Sequence, residues 1–310
     1  LNKIIRIGTR SSKLAIWQAS HVARLLEQLG AKTELVTIET IGDKVLNKSI
    51  AKIGSKGVFT EELEQLLHEG SVDIAVHSAK DLPSTLPEGL SIIAFSERED
   101  PSDVVVSYNR FLSFEDTSQK LVMGTSSTRR SAFIKHYYPK IRLAEVRGNL
   151  QTRMEKMQEG LCDGLILAYA GVHRMEYGQF IISRLPLDVF TPAVGQGSLA
   201  IEASDRLPKA VHNLVRKAVN HAESEQRLLC ERAFLRHIDG GCSIPSFGLA
   251  QLEGQTLQVH AGLISLNGKQ LVRETLEGPA SDPEALGTRI GELVLAQGGA
   301  DILSEIRSGG

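Results

Sequence analysis

Residues 73–83 read DIAVHSAKDLP, and the change of character halfway along this stretch decides the fold. Val72, Ile74 and Val76 surround small Ala75, which predicts a short buried strand. The apolar run then stops in His77, Ser78, Lys80 and Asp81, and Pro83 stiffens the exit. Strand ends of this kind are where α/β folds gather ligand groups. Asp81 is therefore the leading candidate for a general acid or a stabiliser of positive charge, with Lys80 beside it. The same letters also fit a surface turn with a solvated Lys-Asp pair.

Working outward, residues 4–7 predict a first strand and Gly8-Thr9-Arg10-Ser11-Ser12 a tight turn into a helix that runs to about 29. Ser11 or Ser12 can cap that helix. Arg10 and the hydroxyls at its N-terminus suit either an anion pocket or a plain capping turn. A strand over 32–40 follows. Residues 42–57, GDKVLNKSIAKIGSKG, then lose all periodicity. A loop of this length reads as a lid or as a solvated lysine loop, with Lys52 and Lys56 placed to meet an acidic ligand in the first case. Phe59, Leu63, Leu66 and Leu67 mark the face of the next helix.

Beyond a strand at 90–95, the run Glu97-Arg98-Glu99-Asp100-Pro101-Ser102-Asp103 predicts an exposed linker and a domain boundary. A second series begins there, with strands at 103–107, 121–124, 141–146 and 163–168 and helices at 127–136, 150–159 and from 170. This alternation implies a mainly parallel sheet. One design recurs at its strand ends. Thr125-Ser126-Ser127-Thr128-Arg129-Arg130, then Arg147-Gly148-Asn149 with Arg153 beyond it, then Gly171-Val172-His173-Arg174, each bring arginine to a strand-to-helix turn. With Arg10 they suggest a cleft for a ligand rich in carboxylates or phosphates. Four or five charge-assisted hydrogen bonds, at roughly 1.5–3 kcal/mol each, would hold such a polyanion firmly.

Residues 191–201, TPAVGQGSLAI, predict a crossing back between domains. Helices are expected at 205–218 and 223–237, then strands at 247–252, 257–266 and 270–276 turning at Glu253-Gly254 and Asn267-Gly268, then helices at 283–297 and from 300. The expected architecture is α/β in two domains, 1–97 with 197–217 and 102–191. A small α+β unit at 220–310 with a three-stranded antiparallel sheet completes it.

The 310 residues carry 35 basic and 37 acidic side chains, so no global field points to nucleic acid or an anionic membrane. There is no apolar run of about 18 residues and no signal-peptide pattern, which places the protein in the cytoplasm as an expectation. Cys162, Cys230 and Cys242 are widely spaced without a CxxC pair, which argues against zinc and for a reducing compartment. Cys242 alone follows two glycines on a loop, where a sulfur is accessible. An ordinary thiol of pKa about 8.5 is a few per cent thiolate near neutrality, enough to meet a reactive electrophile.

GTRSSKLA, KGVFTEELE, DIAVHSAKDLP, GTSSTRR, RGNLQTR, LAYAGVHRM, AVGQG and ERAFLRHIDGGCSIP, taken together, closely resemble the porphobilinogen deaminase family over essentially the whole chain. The resemblance implies two α/β domains like those of periplasmic binding proteins and a third bearing a cofactor cysteine. It implies a transferase that condenses four porphobilinogen molecules head to tail with loss of ammonia and releases hydroxymethylbilane, which passes to uroporphyrinogen-III synthase. It puts the thioether link to a dipyrromethane primer on Cys242 and the catalytic carboxylate on Asp81. It puts acetate- and propionate-holding arginines on Arg10, Arg129, Arg130, Arg147, Arg153 and Arg174, with Ser12, Lys80, Thr125, Ser126, Ser127 and Gly148 near them. Lys52, Lys56 and Phe59 match the family's lid and the residues just after it. A monomer with no metal, nucleic acid or membrane partner is implied. Tyr169 and Ser55 depart mildly from the family pattern. A two-lobed anion-binding receptor or effector domain without enzymatic activity is the rival that fold alone would leave open.

Overall fold

The computed structural model describes residues 4–40, 60–114, 120–241 and 243–308. The chain divides into two compact units, Leu1–Glu99 with Ser198–Leu228, and Asp100–Gly197 with Leu229–Gly310. Its elements follow in order. β1 (Ile4–Arg10), α1 (Lys13–Gln28), β2 (Lys32–Ile38), α2 (Glu61–Glu69), β3 (Ile74–Ser78), a 3-10 turn (Ala79–Asp81) and β4 (Leu90–Phe95) come first. β5 (Asp103–Val106), β6 (Val122–Gly124), α3 (Thr128–Tyr137), β7 (Arg142–Ala144), α4 (Leu150–Gln158), β8 (Gly164–Ala168), α5 (Tyr169–Arg174) and β9 (Ile181–Arg184) follow. The chain then returns through β10 (Leu199–Ser204), α6 (Lys209–Val219) and α7 (Ala222–His237). It closes with β11 (Ser246–Glu253), β12 (Thr256–Ile264), β13 (Leu271–Pro279), α8 (Pro283–Val294) and α9 (Ala300–Ser308).

Capping explains several boundaries. The Ser12 side chain accepts from the Ala15 amide, Ser127 from that of Arg130 and Asn149 from that of Thr152, so three helices begin where the hydroxyl and amide residues stand. α6 starts at Lys209 rather than at the expected 205, because Pro208 sits extended before it. The last helices are separated by a kink at Gln297 and Gly298, where φ of the glycine is 106°.

The first sheet has the order β2-β1-β3-β10-β4; β1 runs parallel to β2 and β3, and β10 runs antiparallel to β3 and β4. The second repeats that plan as β7-β6-β8-β5-β9, with β5 antiparallel to β8 and β9. A third sheet, β11-β12-β13, is wholly antiparallel. Ile7, Ile74, Val76 and Ile201 bury one face of the first sheet against Val22 and Leu26 of α1 and Val215 of α6. Each such side chain contributes roughly 1.5–3 kcal/mol of burial. The opposite face packs Ala75 against Leu63 and Leu67 of α2. In the second unit the third sheet shares its core with the α/β sheet: the Phe133 ring of α3 lies 5.0 Å from that of Phe190 and 5.1 Å from that of Phe247 on β11. The charged run at 97–103 is not an exposed linker throughout. Ser102 is 4 % exposed and Asp103 0 %, for a reason that lies in the site.

Candidate active site

In the first unit, β1 and β3 are parallel neighbours, so the residues at their C-terminal ends come together. Arg10 is the last residue of β1, and β3 gives way to the 3-10 turn that ends on Asp81. That turn is fixed from two sides. The Ala79 amide donates to the Ser198 carbonyl at 2.9 Å, and the Gln18 amide side chain, buried on α1, donates to the Ser78 hydroxyl at 2.9 Å. Leu82, 4 % exposed, anchors the far side. Arg10, Ser12, Gln18, Thr60, Ser78 and Asp81 border a cavity of about 60 Å3. Lys80 is half-buried on the same turn. The cavity thus carries a carboxylate, a guanidinium and hydroxyls on a rigid frame, a set that can both hold an acidic ligand and move a proton.

In the second unit the arginines divide into two kinds. Arg129 and Arg130 are buried, and both turn inward to Asp103 at the start of β5. Arg129 Nη2 donates to Asp103 Oδ2 at 2.7 Å and its Nη1 to the Thr191 carbonyl at 2.9 Å. Arg130 donates to Asp103 Oδ1 from Nε at 3.1 Å and Nη2 at 2.8 Å, and from Nη1 to the Ile166 carbonyl at 3.0 Å. Gln196 adds a bond to Asp103 Oδ1 at 2.9 Å. Burial works to raise the Asp103 carboxyl, but the two guanidiniums, with the bonds from Arg130 and Gln196, outweigh it and hold the group well below the usual carboxylate range. Arg129 is pushed down by burial and by Arg130, against the pull of Asp103. Among the described residues the two guanidiniums share the one Asp103 carboxylate, and Arg129 Nε is buried without an acceptor.

The other arginines are half-buried; Arg147 stands just before α4 and Arg153 in its first turn, whereas Arg174 ends α5 instead of standing at the expected strand-to-helix turn, because that helix already starts at Tyr169. Arg147 Nε bonds Glu145 at 2.6 Å, Arg153 Nε donates to the Gly148 carbonyl at 2.8 Å, and Arg174 Nη2 to the Gly197 carbonyl at 2.7 Å. Gly148, with φ 115°, permits the tight turn before α4 whose carbonyl Arg153 bonds. Thr125 is buried, and its hydroxyl accepts from the Ser127 amide at 3.2 Å. Cys162 and Cys230 are buried, and burial pushes their thiols up to about 11 and about 12. Lys52, Lys56, Phe59 and Cys242 lie outside the described residues. Reading by sequence missed Asp103, Gln18 and Gln196. Each lies far along the chain from the group that it holds, and only the burial of two adjacent arginines could have called for a counter-charge.

The fold and these turns define a class: an α/β protein with one sheet that ends in a cavity bearing a carboxylate and a guanidinium, and another that carries arginines at its strand-to-helix turns. Two family models match, "Porphobilinogen deaminase, dipyromethane cofactor binding domain" over residues 5–211 and "Porphobilinogen deaminase, C-terminal domain" over residues 226–296. The porphobilinogen deaminase of Desulfosudis oleivorans is 52% identical over 303 residues, covering 98% of each chain. That of Cytophaga hutchinsonii is 48% identical over 309 residues, covering 100% of this chain and 99% of its own. The chain belongs to the porphobilinogen deaminase family, transferases that join porphobilinogen units into hydroxymethylbilane with a dipyrromethane cofactor. Among solved structures, the periplasmic VFT2 domain of Bordetella pertussis BvgS aligns at 16% identity and a TM-score of 0.43, covering 69% of this chain and 86% of its own. Among the described residues no helix is long and apolar enough to cross a membrane.

Proposed function

We propose that Asp81 is the catalytic residue of this transferase and that Cys242 carries its dipyrromethane through a thioether. The observation that carries the first half is the placement of Asp81 on a turn held by Ser198 and Gln18, at the wall of a cavity shared with Arg10 and Ser12. Protonated, Asp81 gives its proton to the substrate's aminomethyl nitrogen, which departs as ammonia with the bonding electron pair. The carboxylate that remains stands against the positive azafulvene left behind. Arg10 holds substrate acid groups beside it. Lys52, Lys56 and Phe59 belong to the substrate-binding set by resemblance.

The residues of the second unit fit a group with several acid side chains. The two guanidiniums that share Asp103 and the buried Arg129 Nε favour anions, and the turns of Thr125, Ser126, Ser127, Arg147 and Gly148 add donors. Ser12, Lys80 and Asp81 complete the cofactor set, while Arg147, Arg153 and Arg174 meet the growing chain. A side chain at Gly241 would meet nothing within 4 Å. When bound, dipyrromethane supplies the primer that accepts the first unit. The three-domain division, 1–97 with 197–217, 102–191 and 220–310, belongs to this reading; the cluster that the third sheet builds with α7, α8 and α9 supports it, beside the core that the same sheet shares with the α/β sheet. So does a cytoplasmic monomer whose product passes to uroporphyrinogen-III synthase. Full-length relatives with the deaminase name disfavour the non-enzymatic receptor.

The test is Asp81→Ala, expected to fold as the parent does and to give essentially no turnover. Asp81→Glu keeps the charge but misplaces it by a methylene, and a loss on the order of a hundredfold is expected. Near-normal turnover in Asp81→Ala would remove the assignment.

A further inference from the structure

On the α2 face of the first sheet, three ionisable side chains meet in the interior: Glu64 of α2, His77 of β3 and Glu202 of β10, exposed by 6 %, 5 % and 0 %. The register explains the meeting. Ala200 lies opposite His77 and Glu202 opposite Ala75, so His77 and Glu202 project to the face that α2 covers. His77 Nε2 lies 2.9 Å from Glu202 Oε2, an ion-pair distance, although the ring nitrogen is off the line that a hydrogen bond requires. Both Glu202 oxygens and Glu64 Oε1 are likewise buried without a hydrogen-bond partner. The three do not make a metal site: no group of three His, Cys, Asp or Glu among the described residues is arranged to hold an ion.

The charges bearing on Glu64 are few. Burial raises its carboxyl, the Thr60 hydroxyl opposes this, Glu202 raises it further, His77 lowers it and Glu61 raises it. With a neutral imidazole, two ionised carboxylates would put two uncompensated negative charges in the interior, which folded proteins avoid by pairing or protonation. Arg10 and Asp81 stand at the edge of the neighbouring cavity, which His77 and Thr60 also line. We propose that Glu64, His77 and Glu202 form one charge-balanced cluster, a neutral carboxylic acid beside an imidazolium–carboxylate pair, which positions the β3 exit carrying Asp81. His77 directly precedes Ser78, which Gln18 grips from the other face of the sheet. The strand end is thus held from both faces, by a neutral hydrogen bond on one and by an ion pair on the other. The positioning half rests on the proposed role of Asp81; the charge state does not.

The experiment is nitrogen NMR of the histidine rings in the cofactor-loaded protein, combined with kinetics of two isosteric variants. His77 should carry a proton on both ring nitrogens in the parent at about pH 7. Glu202→Gln should give a His77 ring that is neutral by about pH 7, and a kcat lower by on the order of tenfold or more with KM within about twofold. Glu202→Asp should recover part of that kcat. Glu64→Gln, which mimics a neutral acid, should leave the His77 signals where they are. A neutral His77 in the parent at pH 7 overturns the cluster, as does Glu64→Gln moving the ring signals as far as Glu202→Gln does. An unchanged kcat in Glu202→Gln overturns the positioning role. Should Glu202→Gln fail to fold, the parent spectrum and Glu64→Gln still decide. Active Asp81→Ala with a charged His77 would defeat the reading of Asp81 and leave the cluster standing.

Discussion

Asp103→Asn replaces the carboxylate on which two buried arginines converge by a group of the same shape and no charge. The amide can keep an acceptor toward Arg130, but its nitrogen then faces Arg129 Nη2, a donor, across the 2.7 Å that the carboxylate now spans. Removing one partner of a buried ion pair costs about 3–5 kcal/mol, because the other charge stays behind in a medium that cannot solvate it. At a few degrees per kcal/mol, the second unit should melt lower by on the order of 10 °C. The pH dependence has a definite sign. The folded carboxyl is held below its unfolded value, so its contribution is fully present above about pH 4 and is lost as the solution is acidified below that. The gap between parent and variant should therefore be constant from about pH 5 to 8 and close in acid. Asp100→Asn is the control. Asp100 pairs with Arg184 at a partly solvated surface, and its loss should cost less than about 1 kcal/mol. Scanning calorimetry of both variants measures the effect. A melting temperature for Asp103→Asn within about 2 °C of the parent, or a gap that widens in acid, would refute the account.

The arginines should not be equivalent. Arg129→Leu and Arg130→Leu should each lower stability by removing one of the two guanidiniums that bond buried Asp103, whereas Arg153→Leu should melt like the parent yet alter the ladder of enzyme masses under limiting porphobilinogen. An unaltered ladder counts against Arg153 as a contact of the growing chain. Intact holo-protein should exceed the mass of its sequence by one dipyrromethane unit on Cys242, and Cys242→Ser should lack both the added mass and most activity; an active preparation with the bare polypeptide mass defeats the link. Cys162 and Cys230, buried with thiols pushed up to about 11 and about 12, should react with neutral thiol reagents only after unfolding. Gly287→Ala should lower stability by about 1–3 kcal/mol, because its Cβ would stand 2.0 Å from the Cys230 carbonyl oxygen. A melting curve that does not move would show that α8 shifts to make room.

Elements with a long apolar period were legible in the sequence, because Leu, Val and Ile at helical or alternating spacing commit a segment before any tertiary contact forms. β9 was not. Its four residues, IISR, are half polar, and what makes them a strand is the edge of β5. The strand-end residues were legible as a pattern of hydroxyl, glycine and arginine at turns, yet their partners were not. Asp103 sits in an acidic run that reads as solvated, and only the fold carries it under Arg129 and Arg130. Glu64, His77 and Glu202 each look ordinary on their own element. Their meeting is a matter of sheet register, which a single sequence leaves open.

β10 fixes an order of assembly. The strands of the second sheet follow one another from Asp103 to Arg184, whereas the first sheet lacks the strand between β3 and β4 until Leu199–Ser204 has been made. On the ribosome, the half of the α/β fold that is translated first is the half that finishes last. Until β10 arrives, β3 presents an open edge of backbone donors and acceptors, and the ends of the sheet that bear Arg10 and Asp81 lack the carbonyl of Ser198. A nascent chain stopped short of residue 199 is thus both inactive and adhesive, and chaperone demand should peak in that window of synthesis.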